Sequence, residues 1–259
     1  MENYHPDDKA YHVKANYGHN MHAAGKVTLF NAEIYYEIYG TGRPLLLLHG
    51  NSQSINAFKN QISDFSKKYK VIAVDSRGHG NSKDYSFGQL KFETFAEDMV
   101  HLLDTLKLTN ADILGWSDGG IIGIIMALKH PAYVSKLAVM GANIFPKPGA
   151  LKDIVFVYIN ELLTDIKYKR DARSTEQKRL YELAINEPHL TFDELKNITC
   201  PTLVMAGEND LIFDSHTREM AKSIPGSQLR IFENSDHFAP FFAAVEFNKT
   251  VLRFLDGEK

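Results

Sequence analysis

The chain has 259 residues, 44% of them hydrophobic and 24% charged, with a formal net charge of −3 and one cysteine, Cys200. That length suffices for one substantial core plus a small insertion; the absence of a basic stripe argues against nucleic acid as a partner, and a lone cysteine excludes an internal disulfide. The apolar stretches are too short or too interrupted to span a bilayer and no signal-peptide pattern opens the chain, so the expectation is a cytoplasmic protein without a membrane partner.

Residues 1–25 are polar, carry His5, His12, His19 and His22 at spacings that fit no metal site, and read as a loosely packed arm. From Glu33 to Tyr39 apolar and polar residues alternate, as in an antiparallel edge strand with one exposed face. Leu45 to Leu48 is an apolar run that reads as a strand buried on both faces, and it exits abruptly through His49-Gly50-Asn51. That exit turns the Asn51 backbone N–H toward whatever sits above the sheet, while His49 reads as a histidine that orders the loop. After the strand Val71 to Val74 comes Asp75-Ser76-Arg77-Gly78-His79-Gly80-Asn81-Ser82. Phe92, Ala96, Met99, Leu103 and Leu106 then recur at helical spacing, the core face of a helix on the sheet.

Gly115-Trp116-Ser117-Asp118-Gly119 follows the strand-like run Ala111 to Leu114 and precedes an apolar, helix-compatible segment. A nucleophilic serine needs its oxygen at the tip of a tight strand-to-helix turn, and the flanking glycines remove the Cβ atoms that would collide there. Asp118 follows the serine, so its N–H is the natural partner of the Asn51 N–H as a second oxyanion donor. The strand Leu137 to Met140 leads into Gly141-Ala142-Asn143, which offers no acid. Residues 145–195 then interrupt the strand alternation with two prolines, an amphipathic helix around Leu151 to Ile166, a charged stretch from Lys167 to Arg179 and a helix around Leu180 to Asn186. This reads as a helical cap over the nucleophile, its charged stretch a solvated face.

A buried strand, Thr202 to Gly207, is followed by Asp210; the period-two strand Gln228 to Phe232 leads to His237. The order Ser117, Asp210, His237 is nucleophile, acid and base, each after a strand. Asp236 adjoins the histidine on an extended loop, where neighbouring side chains point apart, and Asp214 enters a helix, so Asp210 is the preferred acid. Trp116, Phe145, Tyr158 and Phe238 are candidate pocket-lining aromatics, and nothing in the pattern calls for a cofactor or metal.

Together these segments resemble the α/β-hydrolase fold superfamily over most of the chain, from about Lys26 to Leu255, with Asp75 to Ser82 similar to that family's D-x-R-G-x-G-x-S loop. The resemblance implies an α/β fold with a mostly parallel eight-stranded sheet flanked by helices and a short helical cap after the sixth strand. It divides the chain into an arm (1–25), a first core part (26–144), the cap (145–195) and a second core part (196–259). Gly-Trp-Ser-Asp-Gly-Gly, the apolar helix and His130-Pro131 resemble the subgroup of biphenyl hydrolase-like proteins and valacyclovir hydrolase. In that subgroup the aspartate after the nucleophile is thought to receive a substrate ammonium; a helix-capping role for Asp118 is the alternative. The function implied is serine hydrolysis of a small carboxylic ester, with an α-amino acid ester as the sharper version. A thioesterase, lactonase, carbon-carbon hydrolase or slow small-molecule receptor of the same fold are the alternatives.

Overall fold

The computed structural model describes residues 16–258; His5 and His12 of the polar arm lie outside them. The chain alternates strands and helices: β1 (Ala24–Thr28), β2 (Ala32–Tyr39), β3 (Arg43–Leu48), α1 (Ile62–Phe65), β4 (Tyr69–Val74), β5 (Lys83–Asp84), α2 (Phe92–Thr105), β6 (Ala111–Trp116), α3 (Asp118–Lys129) and β7 (Val134–Met140). Then follow α4 (Asp153–Ile166), α5 (Ala172–Asn186), β8 (Thr202–Gly207), α6 (Asp214–Ser223), β9 (Gln228–Phe232), α7 (Ala239–Phe242) and α8 (Ala244–Asp256). Eight strands run in the order β1-β2-β4-β3-β6-β7-β8-β9, and the two-residue β5 adds a ninth beside β2. β2 pairs antiparallel with β1, β4 and β5, and every pairing from β4 to β9 is parallel.

The four leucines of β3 show why its sequence does not alternate. Leu46 and Leu48 join the core layer that holds α2, α3 and α6, and Leu45 and Leu47 join the layer of α1 and α8. Successive side chains of a strand point to opposite faces, so a sheet covered by helices on both sides needs apolar residues at every position. Parallel strands joined by covering helices bring the carboxyl ends of β3, β6, β7, β8 and β9 to one edge, where the loops carrying the candidate site emerge.

Two expectations about the amino-terminal part are corrected. β2 is not an edge strand, because β1 lies outside it, with the cross-strand pair Lys26 Nζ to Glu33 Oε1 at 2.6 Å. β1 buries only Val27, too weak an apolar signal to mark a strand. Nor is the described part of the arm loose: Tyr17 is buried, and Glu37, fully buried, accepts the N–H groups of Gly18 and Asn20 and the hydroxyls of Tyr35 and Tyr39.

α4 and α5 stand between β7 and β8, which is after the sixth strand of the eight-strand path. Ile159, Ile166 and Tyr181 form a satellite cluster between the two helices, while Leu180 and Leu183 reach down into the main core. The helix expected from Leu180 begins eight residues earlier, at Ala172. Asp171 caps it, accepting the Ser174 N–H at 2.9 Å, so much of the charged stretch is helical.

Nor is that stretch simply a solvated face. Arg179 donates to Asp84 Oδ2 at 2.6 Å, Ser86 Oγ at 2.9 Å and the Gly88 carbonyl at 2.8 Å. Asp84 Oδ1 in turn accepts from the buried Arg77, which forks onto Asp98 at 2.6 and 2.8 Å. This ladder clasps the cap helix α5 to the core.

Candidate active site

The turn from β6 into α3 is a single residue, Ser117. Ser117 sits at φ 56°, ψ −121°, a left-handed backbone strained for a residue with a side chain, and its N–H is held by the Met140 carbonyl at 2.8 Å. A Cβ on Gly115 would collide with the Gly119 carbonyl, and one on Gly119 with the Leu48 carbonyl at the end of β3. Both glycines of the motif are therefore required by close backbone approach.

Asp210 and His237 come together across the β8 and β9 loops. His237 Nδ1 lies 2.8 Å from Asp210 Oδ1, while the other carboxylate oxygen accepts the Gly207 N–H at 3.0 Å and Oδ1 also accepts that of Ile212 at 3.2 Å. Burial opposes ionisation of Asp210, but the hydrogen bond and charge of His237, together with the two backbone donors, outweigh it and hold the carboxyl below its ordinary range. The two loops are cross-tied, Asn209 N–H to the Ser235 carbonyl at 2.9 Å. Gly141, directly after the residue that holds Ser117, abuts the imidazole: a Cβ there would stand 2.7 Å from His237 Nδ1. Its φ of +61° and that clearance both call for glycine, a signal that a glycine at the end of β7 offers in the sequence.

Asp214 and Asp236 are occupied elsewhere. Asp214 opens α6 and pairs with Arg218 at 2.8 Å, and Asp236 accepts the Phe238 N–H at 2.8 Å.

Gly50, which precedes Asn51, abuts the elbow: a Cβ there would stand 3.0 Å from the Ser117 Cβ. Asp118 is the first residue of α3, where an N–H has no intrahelical partner, and the Asn51 N–H has no acceptor among the described residues. His49 below them bridges loops: Nδ1 lies 2.8 Å from the Gly50 carbonyl and Nε2 accepts the Ser76 N–H at 3.0 Å.

The Asp118 carboxylate makes no hydrogen bond to its own helix, although it stands in the first turn, where the helix dipole favours a negative charge. Its Oδ2 accepts from Asn51 Nδ2 at 2.9 Å, and that amide also donates to the Leu180 carbonyl of α5 at 2.9 Å. Burial pushes the Asp118 carboxyl up to about 6, with the Asn51 hydrogen bond and the His237 charge acting in the opposite direction.

The four lining candidates do not form one wall. Trp116 is 2% exposed; its indole N–H donates to the His237 carbonyl at 2.9 Å, so it supports the histidine loop from beneath. Phe238 is 41% exposed and edge-on to both Trp116 and His237, with ring centroids 5.7 and 5.8 Å apart. Phe145 packs instead on His216 and Phe192 in the other core layer, and Tyr158 is exposed on α4. A concavity of about 480 Å³ along α4, lined by Phe156, Val157, Asn160, Glu161, Thr164 and Asp165, includes none of the candidate site residues. Among the described residues no His, Cys, Asp and Glu group has the arrangement of a metal site, and no helix is long and apolar enough to cross a membrane.

A family model described as alpha/beta hydrolase fold matches residues 43–156. The serine hydrolase BPHL of Mus musculus is 30% identical over 255 residues, which cover 90% of this chain and 86% of that protein. The chain belongs to the α/β-hydrolase fold family. Among solved structures, this α/β hydrolase is similar to an esterase from Exiguobacterium antarcticum at 28% identity and a TM-score of 0.75, covering 87% of this chain and 96% of the other. It is similar also to the carboxylesterase CesB from Bacillus subtilis at 25% identity and a TM-score of 0.75, covering 91% and 92%.

Three buried histidines of this α/β hydrolase give its stability a predictable pH dependence. Burial lowers His49 to about 4, His79 to about 3 and His216 to about 4. Below about pH 6.5 the unfolded chain takes up protons at these positions that the native state refuses, so stability is full above that pH and falls as the pH drops toward 4. Asp118, raised to about 6, acts the other way. Three histidine protons against the one of Asp118 leave a net loss of stability on acidification toward pH 5, lessened by the raised Asp75, Asp98 and Asp112 carboxyls. Urea midpoints at pH 7.5 and 5 are expected to fall accordingly; an unchanged or rising midpoint contradicts the assignment.

Proposed function

We propose that this α/β hydrolase is a serine hydrolase that cleaves a small carboxylic ester through an acyl-enzyme. The observation that carries the reading is the Asp210–His237 hydrogen bond of 2.8 Å on loops cross-tied beside the strained Ser117 turn. In that mechanism His237, oriented by Asp210, takes the Ser117 proton as the serine oxygen attacks the carbonyl carbon. The N–H groups of Asn51 and Asp118 hold the oxyanion, each contributing about 3 kcal/mol in the transition state. Collapse of the tetrahedral intermediate breaks the ester bond, and the leaving alcohol takes its proton from the imidazolium. A water activated by His237 then releases the acid and restores the serine. The names of the esterase and carboxylesterase that the chain resembles are in keeping with an ester substrate. The first test is multiple turnover of a p-nitrophenyl ester together with fluorophosphonate labelling of Ser117; binding without turnover would instead indicate a receptor.

The sharper reading is an α-amino acid ester whose ammonium is received by Asp118. Its support is a carboxylate one residue after the nucleophile, held by a single side-chain donor on Oδ2. A charge-assisted hydrogen bond of about 1.5–3 kcal/mol corresponds to a preference of roughly 10- to 100-fold. We expect kcat/KM for an alanyl ester to exceed that for the matching propionyl ester by this factor, and Asp118→Asn to abolish most of the difference. Equal rates in the wild type, or a preference that survives in Asp118→Asn, would remove the ammonium role.

A further inference from the structure

Asn51 presents two chemically separate groups to the site. Its main-chain N–H is an oxyanion donor in the mechanism above, whereas its side-chain amide takes no part in that chemistry and yet is fully engaged. One amide nitrogen, Nδ2, reaches Asp118 Oδ2 on the elbow and the Leu180 carbonyl on the cap helix, both at 2.9 Å, and the amide oxygen accepts the Ser52 hydroxyl at 2.9 Å. The two N–H bonds of a primary amide diverge at a fixed angle in one plane, so its two acceptors cannot move independently without losing one bond.

Both acceptors are otherwise set. Leu180 is buried in the main core and follows Arg179, whose guanidinium is clasped by Asp84, Ser86 and Gly88. Asp118 begins α3, a helix buried on all sides from Gly119 to Ala127. Asp118 Oδ1, by contrast, has no hydrogen-bond partner among the described residues and is not an atom shut off from solvent. The two oxygens of a carboxylate are equivalent, so what the Asn51 amide fixes is the plane and direction of the group: one oxygen is tied to the amide and the other points away from it.

We propose that the Asn51 side chain is a positioning residue that couples the seating of cap helix α5 to the orientation of the Asp118 carboxylate, and so sets selectivity for substrates bearing an ammonium group. The selectivity half rests on the reading of Asp118 given above; the mechanical half does not. Seating α5 draws the Leu180 carbonyl onto one amide hydrogen, which leaves the other directed at Asp118 Oδ2 and Oδ1 open to a substrate N–H. Release of α5 frees the amide to rotate, and the carboxylate loses its fixed orientation. The group that acts on Asp118 from the opposite loop, His237, is held by Asp210 through Nδ1.

The test uses the full-length enzyme and two variants, Asn51→Ala at the link and Arg179→Ala at the clasp, which is remote from the reacting atoms. For each, the ratio of kcat/KM for alanyl over propionyl ester is measured together with deuterium uptake of α5 by mass spectrometry. We expect Asn51→Ala to lower the ratio at least tenfold and to speed exchange in α5, and Arg179→Ala to speed exchange and lower the ratio at least threefold. Equal losses on both esters in Asn51→Ala, a loosened α5 with an unchanged ratio in Arg179→Ala, or unchanged exchange in Asn51→Ala would each overturn the coupling. A wild-type ratio near one would instead remove the ammonium role of Asp118. The mechanical link would then be decided by exchange alone, upheld by faster uptake in Asn51→Ala and overturned by its absence.

Discussion

Replacing Ser117 with alanine is expected to lower ester turnover by about 10⁶-fold while leaving the fold and its thermal midpoint essentially unchanged. The size follows from how the three groups act. Asp210 gains its function only by holding His237 Nδ1, and His237 only by having a hydroxyl to deprotonate, so losing the serine idles all three. The same reasoning makes the effects non-additive: Ser117→Ala, His237→Ala and the double variant should fall to similar residual rates, left by the oxyanion donors alone. Asp210→Asn should retain more, with a loss of about 10⁴-fold, because the imidazole stays in place in the wrong tautomer. Near-wild-type turnover in Ser117→Ala, in steady-state assays with enzyme freed of background esterase, would exclude Ser117 as nucleophile. The elbow tolerates this change, since alanine keeps the Cβ that the strained φ of 56° already accommodates.

Asp84→Ala is expected to produce the largest loss of stability, about 3–5 kcal/mol. The Asp84 side chain is almost fully buried and receives two arginines at once, Arg77 at 3.0 Å and Arg179 at 2.6 Å. Arg77 is 2% exposed and keeps Asp98 and Asn31 as partners, but without Asp84 one side of its guanidinium faces a desolvated gap. Asp98 still balances the Arg77 charge, but the change strands Arg179 without its carboxylate and leaves buried guanidinium N–H groups without an acceptor, and deleting one partner of a buried pair is far more damaging than the pair is stabilising. Arg179→Ala removes the partner that lies nearer solvent and should lose no more than about 1–2 kcal/mol. Urea unfolding of the two variants checks the order; equal losses, or a loss below about 1 kcal/mol for Asp84→Ala, would show that the ladder does not hold the cap as described.

The parts of this molecule that were legible in the sequence are those whose physical demands are local. Four successive leucines bounded by Gly42-Arg43-Pro44 and His49-Gly50 fit a short strand covered on both faces, and a serine between glycines after a buried strand announces a turn where Cβ atoms would collide. The β8 and β9 loops are readable for the same reason: β8 ends where its apolar run ends, and β9 where its period-two alternation gives way to Glu233-Asn234-Ser235. Features made by residues distant in sequence were not. Arg179 and Asp84 are 95 positions apart, and in a run such as Lys167 to Arg179 a clasping arginine looks like any solvated one. The start of α5 was hidden because its first turns carry no apolar period, leaving the Asp171 cap as the one local sign. The motif places Trp116 beside the nucleophile, but position along the chain does not say which face of the sheet a side chain takes. β6 turns it into the layer of α1 and α8, where it carries the His237 loop.

The most direct measurement is the mass of the covalent intermediate. A p-nitrophenyl ester mixed with excess enzyme and quenched in acid within the first turnover should leave one acyl group on the peptide containing Ser117, and none on the Ser117→Ala protein. Asp210→Asn should form the same adduct more slowly. Rapid turnover without an adduct, or an acyl group carried by another residue, would contradict the proposed mechanism at its first step.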